Sequence, residues 1–298
     1  MKRFEGIFTV MVTAYSADGG IDHAAMAEMA GHLIDAGVHG LVVLGSNGEC
    51  PYLAHNLQRA AIDAVVEAAG RKVPIIVGIN ERGTEPAVEM ARYAQAAGTH
   101  GLLVALPLFY PLELDAVHKH YQTICSAVDL PVLFYNFPSH SHLHLTPEQI
   151  ASLAEIRNLV GAKETILDIN EVRGLVEATD DDFSVFTGMC LNLTQAMQVG
   201  ACGAICPLPN IMPQKAVQLY EALALGDMEA AVPLQNAFHA LAVFIGGSPT
   251  PHALIKEALR LLGHPIRTDV KPPLPQLTAA QAELVRSTLV AAGLLDRC

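Results

Sequence analysis

A chain of 298 residues, 51% hydrophobic and only 16% charged, is long for one ordinary domain but normal for an α/β barrel with an extension. Its net charge of −12 offers no electrostatic footprint for nucleic acid or an acidic membrane surface. No window approaches roughly 18 uninterrupted apolar residues, which excludes a membrane-spanning helix, and the six cysteines form neither a CxxC pair nor a zinc spacing, the usage expected in a reducing cytosol.

The opening Met1-Lys2-Arg3 and the run after it faintly mimic a secretory signal, but Glu5 interrupts the pattern and the apolar core is short, so Ile7–Val12 reads as a first strand. Seven further apolar runs follow: Gly40–Leu44, Val73–Ile79, Gly101–Leu106, Pro131–Tyr135, Leu159–Lys163, Phe183–Thr187 and Gly203–Cys206. Helical segments lie between them. Asp22 caps a helix carrying Met26, Met29 and Leu33, closed by Gly37; Leu57, Ala61, Val65 and Ala68 share one face of the next. Thr146-Pro147-Glu148-Gln149 combines a cap, an N1 proline and a capping-box glutamine.

A repeat runs through this pattern. Ala36-Gly37-Val38-His39-Gly40-Leu41-Val42-Val43 returns as Ala97-Gly98-Thr99-His100-Gly101-Leu102-Leu103-Val104, and more loosely as Val199-Gly200-Ala201-Cys202-Gly203-Ala204-Ile205-Cys206. Each copy reads as a helix ending at a glycine, a tight turn and a buried strand, the rhythm of repeated βα units in a parallel sheet. His39 and His100, at matching places, read as structural. Eight such units predict a (β/α)8 TIM barrel over residues 1–225. The helical stretches near 212–246, 250–263 and 278–293 exceed what one barrel helix needs, so residues 226–298 read as a C-terminal helical extension packed on the barrel.

Polar and special residues gather just after the strands: Gly45-Ser46-Asn47-Gly48-Glu49, Tyr135-Asn136-Phe137-Pro138, Lys163, Gly188 and Cys206-Pro207. In a parallel barrel these face one mouth, where such folds keep their active sites. Of the lysines, only Lys163 closes an apolar strand; Lys119, Lys215 and Lys256 fall in helical patterns. Burial disfavours an ammonium, and a neutral amine can attack a ketone to form a Schiff base. Position alone leaves open a lysine that merely snorkels. Tyr135 offers a phenol able to relay protons, or a core tyrosine bonded to backbone. The glycine-flanked Ser46-Asn47 turn suits a carboxylate, or is an ordinary βα turn. Together they describe a Schiff-base aldolase for 2-keto acids.

Gly45-Ser46-Asn47-Gly48-Glu49, Tyr135-Asn136-Phe137-Pro138 and Gly161-Ala162-Lys163-Glu164 resemble the signature segments of the dihydrodipicolinate synthase / N-acetylneuraminate lyase family, a resemblance that covers nearly the whole chain, including Gly203-Ala204-Ile205 and Leu254-Ile255-Lys256-Glu257-Ala258. It implies a homotetrameric barrel in the cytoplasm acting on pyruvate or a related 2-keto acid, with no metal or organic cofactor beyond a covalent Schiff base. It also implies Lys163 as the Schiff-base lysine, Tyr135 as proton relay, Ser46, Asn47 and Gly45 around the carboxylate, and Ile205 approaching through its carbonyl. His140 stands where dihydrodipicolinate synthases carry an arginine, Phe109 (beside Tyr110) where they lend a tyrosine across an interface, and Asn47 replaces a threonine. Losing the guanidinium fork argues against that exact substrate. The Tyr-Asn-Phe-Pro segment and the C-terminal stretch resemble the family's 2-keto-3-deoxygluconate aldolases. Gly188-Met189-Cys190 carries no acidic residue for sugar hydroxyls, so a distal pocket of Phe109, Tyr110, His140, Met189 and Cys190 is expected to be less polar than a sugar acid wants. The expected reaction cleaves a 2-keto-3-deoxy sugar acid or a similar 4-hydroxy-2-keto acid to pyruvate, or runs the reverse. The alternatives are 4-hydroxy-tetrahydrodipicolinate synthesis, a keto-acid dehydration, a non-catalytic keto-acid sensor, and a metal-dependent aldolase. The last rests on His140, His142 and His144 sharing one face of an extended segment.

Overall fold

The computed structural model describes residues 3–107, 110–246 and 251–296. Eight strands pair in chain order, all parallel, and the eighth closes on the first. They are β1 (Gly6–Val10), β2 (Gly40–Val43), β3 (Ile75–Ile79), β4 (Gly101–Ala105), β5 (Val132–Asn136), β6 (Leu159–Glu164), β7 (Ser184–Thr187) and β8 (Gly203–Cys206). These are the eight apolar runs, with the ends moved by two residues at most. The TIM barrel expected from the repeat is therefore the fold.

The helices around it are α1 (His23–Asp35), α2 (His55–Ala69), α3 (Thr84–Ala96), α4 (Leu114–Ala127), the short α5 (Pro138–Ser141) and α6 (Pro147–Ser152), α7 (Ile169–Ala178) and α8 (Leu193–Gln198). After β8 come α9 (Pro213–Ala224), α10 (Met228–His239), α11 (Val243–Gly246), α12 (Pro251–Leu261) and α13 (Ala279–Ala291). Asp22 accepts from the Ala25 amide, and Thr146 and Thr278 form complete capping boxes. α9 packs on β1 and α10 on α9, while α12 reaches the barrel mouth, against the 3-10 turns Ser46–Gly48 and Leu208–Asn210. The C-terminal helices thus touch the loops on which the site is built.

Alternation along the strands divides the apolar residues into two cores. Phe8, Val10, Val42, Ile76, Leu103, Leu133, Tyr135, Phe186 and Ile205 fill the barrel interior. Ile7, Leu41, Val43, Val77, Val104, Phe134, Ala162 and Val185 pack outward with the helices. The repeat has a physical role: His39 Nδ1 accepts the Ile7 amide and His100 Nδ1 the Ile75 amide, each at 3.1 Å. Burial pushes both imidazoles below their usual range, which keeps the ring neutral and that nitrogen free to accept. In the third copy Cys202 holds this position, and its carbonyl accepts the Gly6 amide at 2.9 Å.

β6 carries one irregularity. Val132 pairs with Leu159 but Leu133 pairs with Gly161, so Val160 is an extra residue in the strand. Leu159 belongs to the outer core, and strict alternation from it would turn residue 163 outward; the bulge resets the alternation, and Lys163 pairs laterally with inward-facing Tyr135 and Phe186.

Barrel closure is tight at Gly203, where φ is +147° and an added Cβ would lie 2.0 Å from the Gly6 carbonyl oxygen. Gly203→Ala is expected to cost at least about 2 kcal/mol in a denaturant titration. Gly31→Ala, in α1 with nothing within 4 Å of the new methyl, should instead gain up to about 1 kcal/mol. Equal effects of the two would contradict this reading of the β1–β8 closure.

Candidate active site

The register of β5, β6 and β7 places Tyr135, Lys163 and Phe186 side by side in one inward layer near the C-terminal ends of the strands. Lys163 is 3% exposed, and its Nζ stands 4.1 Å from the centroid of the Tyr135 ring. Such an approach to a π face favours a cation, so the ring is a surface against which a positively charged nitrogen is accommodated. The Tyr135 hydroxyl lies 3.3 Å from Ser46 Oγ. An amine, a phenol and a second hydroxyl thus converge from β6, β5 and the loop after β2.

That loop is a single 3-10 turn, Ser46–Gly48, started by Gly45. Thr13 donates to the Gly48 carbonyl at 2.7 Å and pins it to the loop after β1. Asn47 Oδ1 is buried without a hydrogen-bond partner. Leu44 and Glu49, on either side, both adopt φ of 61°, a conformation that non-glycine residues hold only where surrounding structure enforces it.

Two residues beyond Lys163 is Thr165, whose buried Oγ1 has no partner. Gly188 lies directly against it: an added Cβ there would sit 2.1 Å from Thr165 Oγ1. The glycine's role in this chain is to let β6 and β7 bring that hydroxyl close. Ile205 is fully buried and belongs to the interior layer with Tyr135 and Phe186.

Other expected residues fall differently. His140 stacks on Phe137 with 3.8 Å between ring centroids, and Phe137 stacks on Tyr135 at 5.8 Å, so His140 reaches the site through an aromatic column. Phe109 lies outside the described residues, and Tyr110 is 72% exposed on the rim of this chain. Cys190 is fully buried, with its sulfur against that of Cys206 and the two Cα atoms 6.3 Å apart. The cysteine pattern alone did not reveal this pairing. The three histidines do not share a face, because Pro138 starts a helical turn. His140 lies in that turn, His142 ends it at φ 54°, and His144 turns to Glu171 at 3.4 Å.

Residues 3–292 match the model of the dihydrodipicolinate synthetase family. The chain belongs to that family. It is 34% identical, over 99% of its length and 100% of the relative's, to a 4-hydroxy-tetrahydrodipicolinate synthase of Symbiobacterium thermophilum. It is 32% identical, over 99% of both chains, to the probable 2-dehydro-3-deoxy-D-pentonate aldolase YjhH of Escherichia coli. Among solved structures, the E. coli prophage protein YagE, of the same family and in complex with pyruvate, superposes with a TM-score of 0.95 at 29% identity, covering 98% of this chain and 99% of its own. The chain is thus a pyruvate-dependent lyase of the class I aldolase type, a family that works through a covalent Schiff base without a metal cofactor. No helix among the described residues is long and apolar enough to cross a membrane.

In this family setting Glu164, next to Lys163 but facing outward, is a residue that strand patterning did not single out. It is 1% exposed, accepts from Asn136 Nδ2 at 2.9 Å through Oε2, and leaves Oε1 unpartnered. Burial is the main cause that lifts its carboxyl to about 7, aided by Glu171 and opposed by the Asn136 bond. The folded protein therefore holds a proton that the unfolded chain releases near 4.5. This contribution to stability is complete below that value and is lost as pH rises to about 7, on the order of 3 kcal/mol in all. Urea titrations across that window should show wild type losing stability relative to Glu164→Gln; parallel curves would refute the assignment.

Proposed function

We propose that this protein cleaves a 4-hydroxy-2-keto acid to pyruvate and an aldehyde, or condenses the two, through an imine on Lys163. The observation that carries this reading is the single inward layer in which Lys163 Nζ lies over Tyr135 while the Tyr135 hydroxyl meets Ser46. The keto acid's carboxylate rests against the Ser46–Gly48 turn, with Gly45 and Asn47 beside it, and its C2 carbonyl faces Lys163. The Nζ lone pair attacks C2, and a carbinolamine forms. The Tyr135 phenol relays a proton to the departing hydroxyl, water leaves, and the iminium results. The iminium draws electrons from the adjacent C3–C4 bond; as the C4 hydroxyl loses its proton, that bond breaks, releasing the aldehyde and leaving an enamine. Protonation at C3 and hydrolysis free pyruvate and restore the amine. Ile205, through its carbonyl, and Gly188 complete the pocket wall.

The relatives support two acceptors. The Symbiobacterium enzyme favours 4-hydroxy-tetrahydrodipicolinate synthesis and the YjhH likeness favours a deoxy sugar acid. His140, a single imidazole stacked on Phe137, presents no bidentate fork for an acceptor carboxylate. The Thr165 hydroxyl, buried without a partner, adds a polar group near the mouth. Both points favour a short hydroxylated aldehyde. The same reading carries a cytoplasmic homotetramer, with Tyr110 at a subunit contact.

Borohydride reduction in the presence of pyruvate should add one reduced pyruvate to wild type at Lys163 and none to Lys163→Ala, and Tyr135→Phe should lower kcat by roughly 10²–10⁴. Of the aldehydes offered with pyruvate, hydroxylated ones should be turned over in preference to one bearing a carboxylate. Undiminished turnover by Lys163→Ala, or the opposite preference, would overturn the respective part.

A further inference from the structure

The Ser46–Gly48 turn leans on a buried ionic cluster that the chemistry above leaves unused. Glu49, which ends the turn, is fully buried. Its Oε1 accepts from Lys256 Nζ at 2.5 Å, and its Oε2 accepts the Lys271 backbone amide at 2.7 Å. Lys256, in the middle of α12, is also 0% exposed and donates to the Asp269 carbonyl at 2.7 Å. The ammonium groups of Lys256 and Lys271 stand 4.2 and 4.4 Å from the centroid of the Tyr15 ring, and Lys271 Nζ also donates to the Gly19 carbonyl. His252, one turn before Lys256, is buried beside them with Nε2 unpartnered. Four segments therefore meet at one carboxylate: the loop after β1, the turn after β2, α12 and the stretch 269–271.

Stability alone is a poor account of this arrangement. A buried ion pair costs so much desolvation that well-packed apolar residues often serve as well or better. Such a pair does supply a fixed geometry, because neither charge tolerates losing its partner. Here that geometry is imposed on Glu49, whose φ of 61° is unfavourable by itself, and α12 lies directly against the turn that Glu49 terminates.

We propose that the Glu49–Lys256 pair is a positioning device through which the C-terminal helices set the Ser46–Gly48 turn for the substrate carboxylate. The C-terminal helices then act as part of the substrate site. The inference rests on reading that turn as the carboxylate cradle and Lys163 as the imine-forming amine. Its signature is a split: weaker pyruvate binding with the chemical step retained.

The test measures the pyruvate dependence of borohydride trapping and of turnover in full-length wild type, Glu49→Gln and Glu49→Gln/Lys256→Met, with folding verified by circular dichroism. The double variant should raise half-saturating pyruvate about tenfold or more, consistent with a displaced positioning group. Maximal trapping should be kept, and Glu49→Gln alone, which leaves Lys256 buried without its partner, should raise half-saturating pyruvate at least as far. Folded variants with wild-type half-saturation, whatever their unfolding midpoints, would overturn the proposal. So would a loss of maximal trapping at unchanged half-saturation. If the double variant does not fold, the single variant decides by the same criteria. Absence of any adduct in wild type would instead refute the role of Lys163, which keeps the two failures distinct.

Discussion

One extra residue in β6 governs everything at the mouth of this barrel. Side chains on a strand alternate, so a shift of one position exchanges the whole inward set for the outward one. The bulge at Val160 takes up that shift before Gly161 and leaves Lys163 beside Tyr135 and Phe186, with Glu164 between sheet and helices. Without it the amine would point into the outer layer and the carboxylate into the barrel. Neither the aromatic surface behind Nζ nor the phenol-to-serine contact would then exist.

The site is otherwise made of loops held at a distance. The turn that faces the amine sits between two left-handed residues and is anchored by partners remote in sequence: Thr13 before it, and Lys256 and Lys271 long after it. A rigid barrel holds the amine and the phenol, while the backbone of the Ser46–Gly48 turn is tied through Glu49 to the C-terminal helices. This division of labour suits a family in which one imine chemistry serves different acceptors.

Much of the fold was legible in the sequence because it rests on periodic signals. Eight apolar runs, the repeated glycine-histidine-glycine turns and two capping boxes are local, and each became the element it implied. The places of Lys163 near the end of β6, of Tyr135 near the end of β5 and of Ser46 just after β2 were legible from the apolar runs that precede them. Three things were not legible, and each is non-local. The bulge depends on the partner strand's register. The Glu49–Lys256 pair joins residues 207 positions apart, and its lysine looked like any helical lysine. The Cys190–Cys206 contact depends on how the turn after β7 meets the end of β8. The extended reading of the histidine triplet failed for a local reason that was available: Pro138 is suited to open a helical turn, which separates side chains that a strand would have aligned.

The most direct test of the central claim is a crystal structure of the protein soaked in pyruvate without reductant. The account predicts continuous density from Lys163 Nζ to C2 of the keto acid, with the carboxylate against the Ser46–Gly48 turn and the Tyr135 hydroxyl beside the new bond. Pyruvate bound elsewhere, or joined to another amine in a protein that still turns it over, would contradict it.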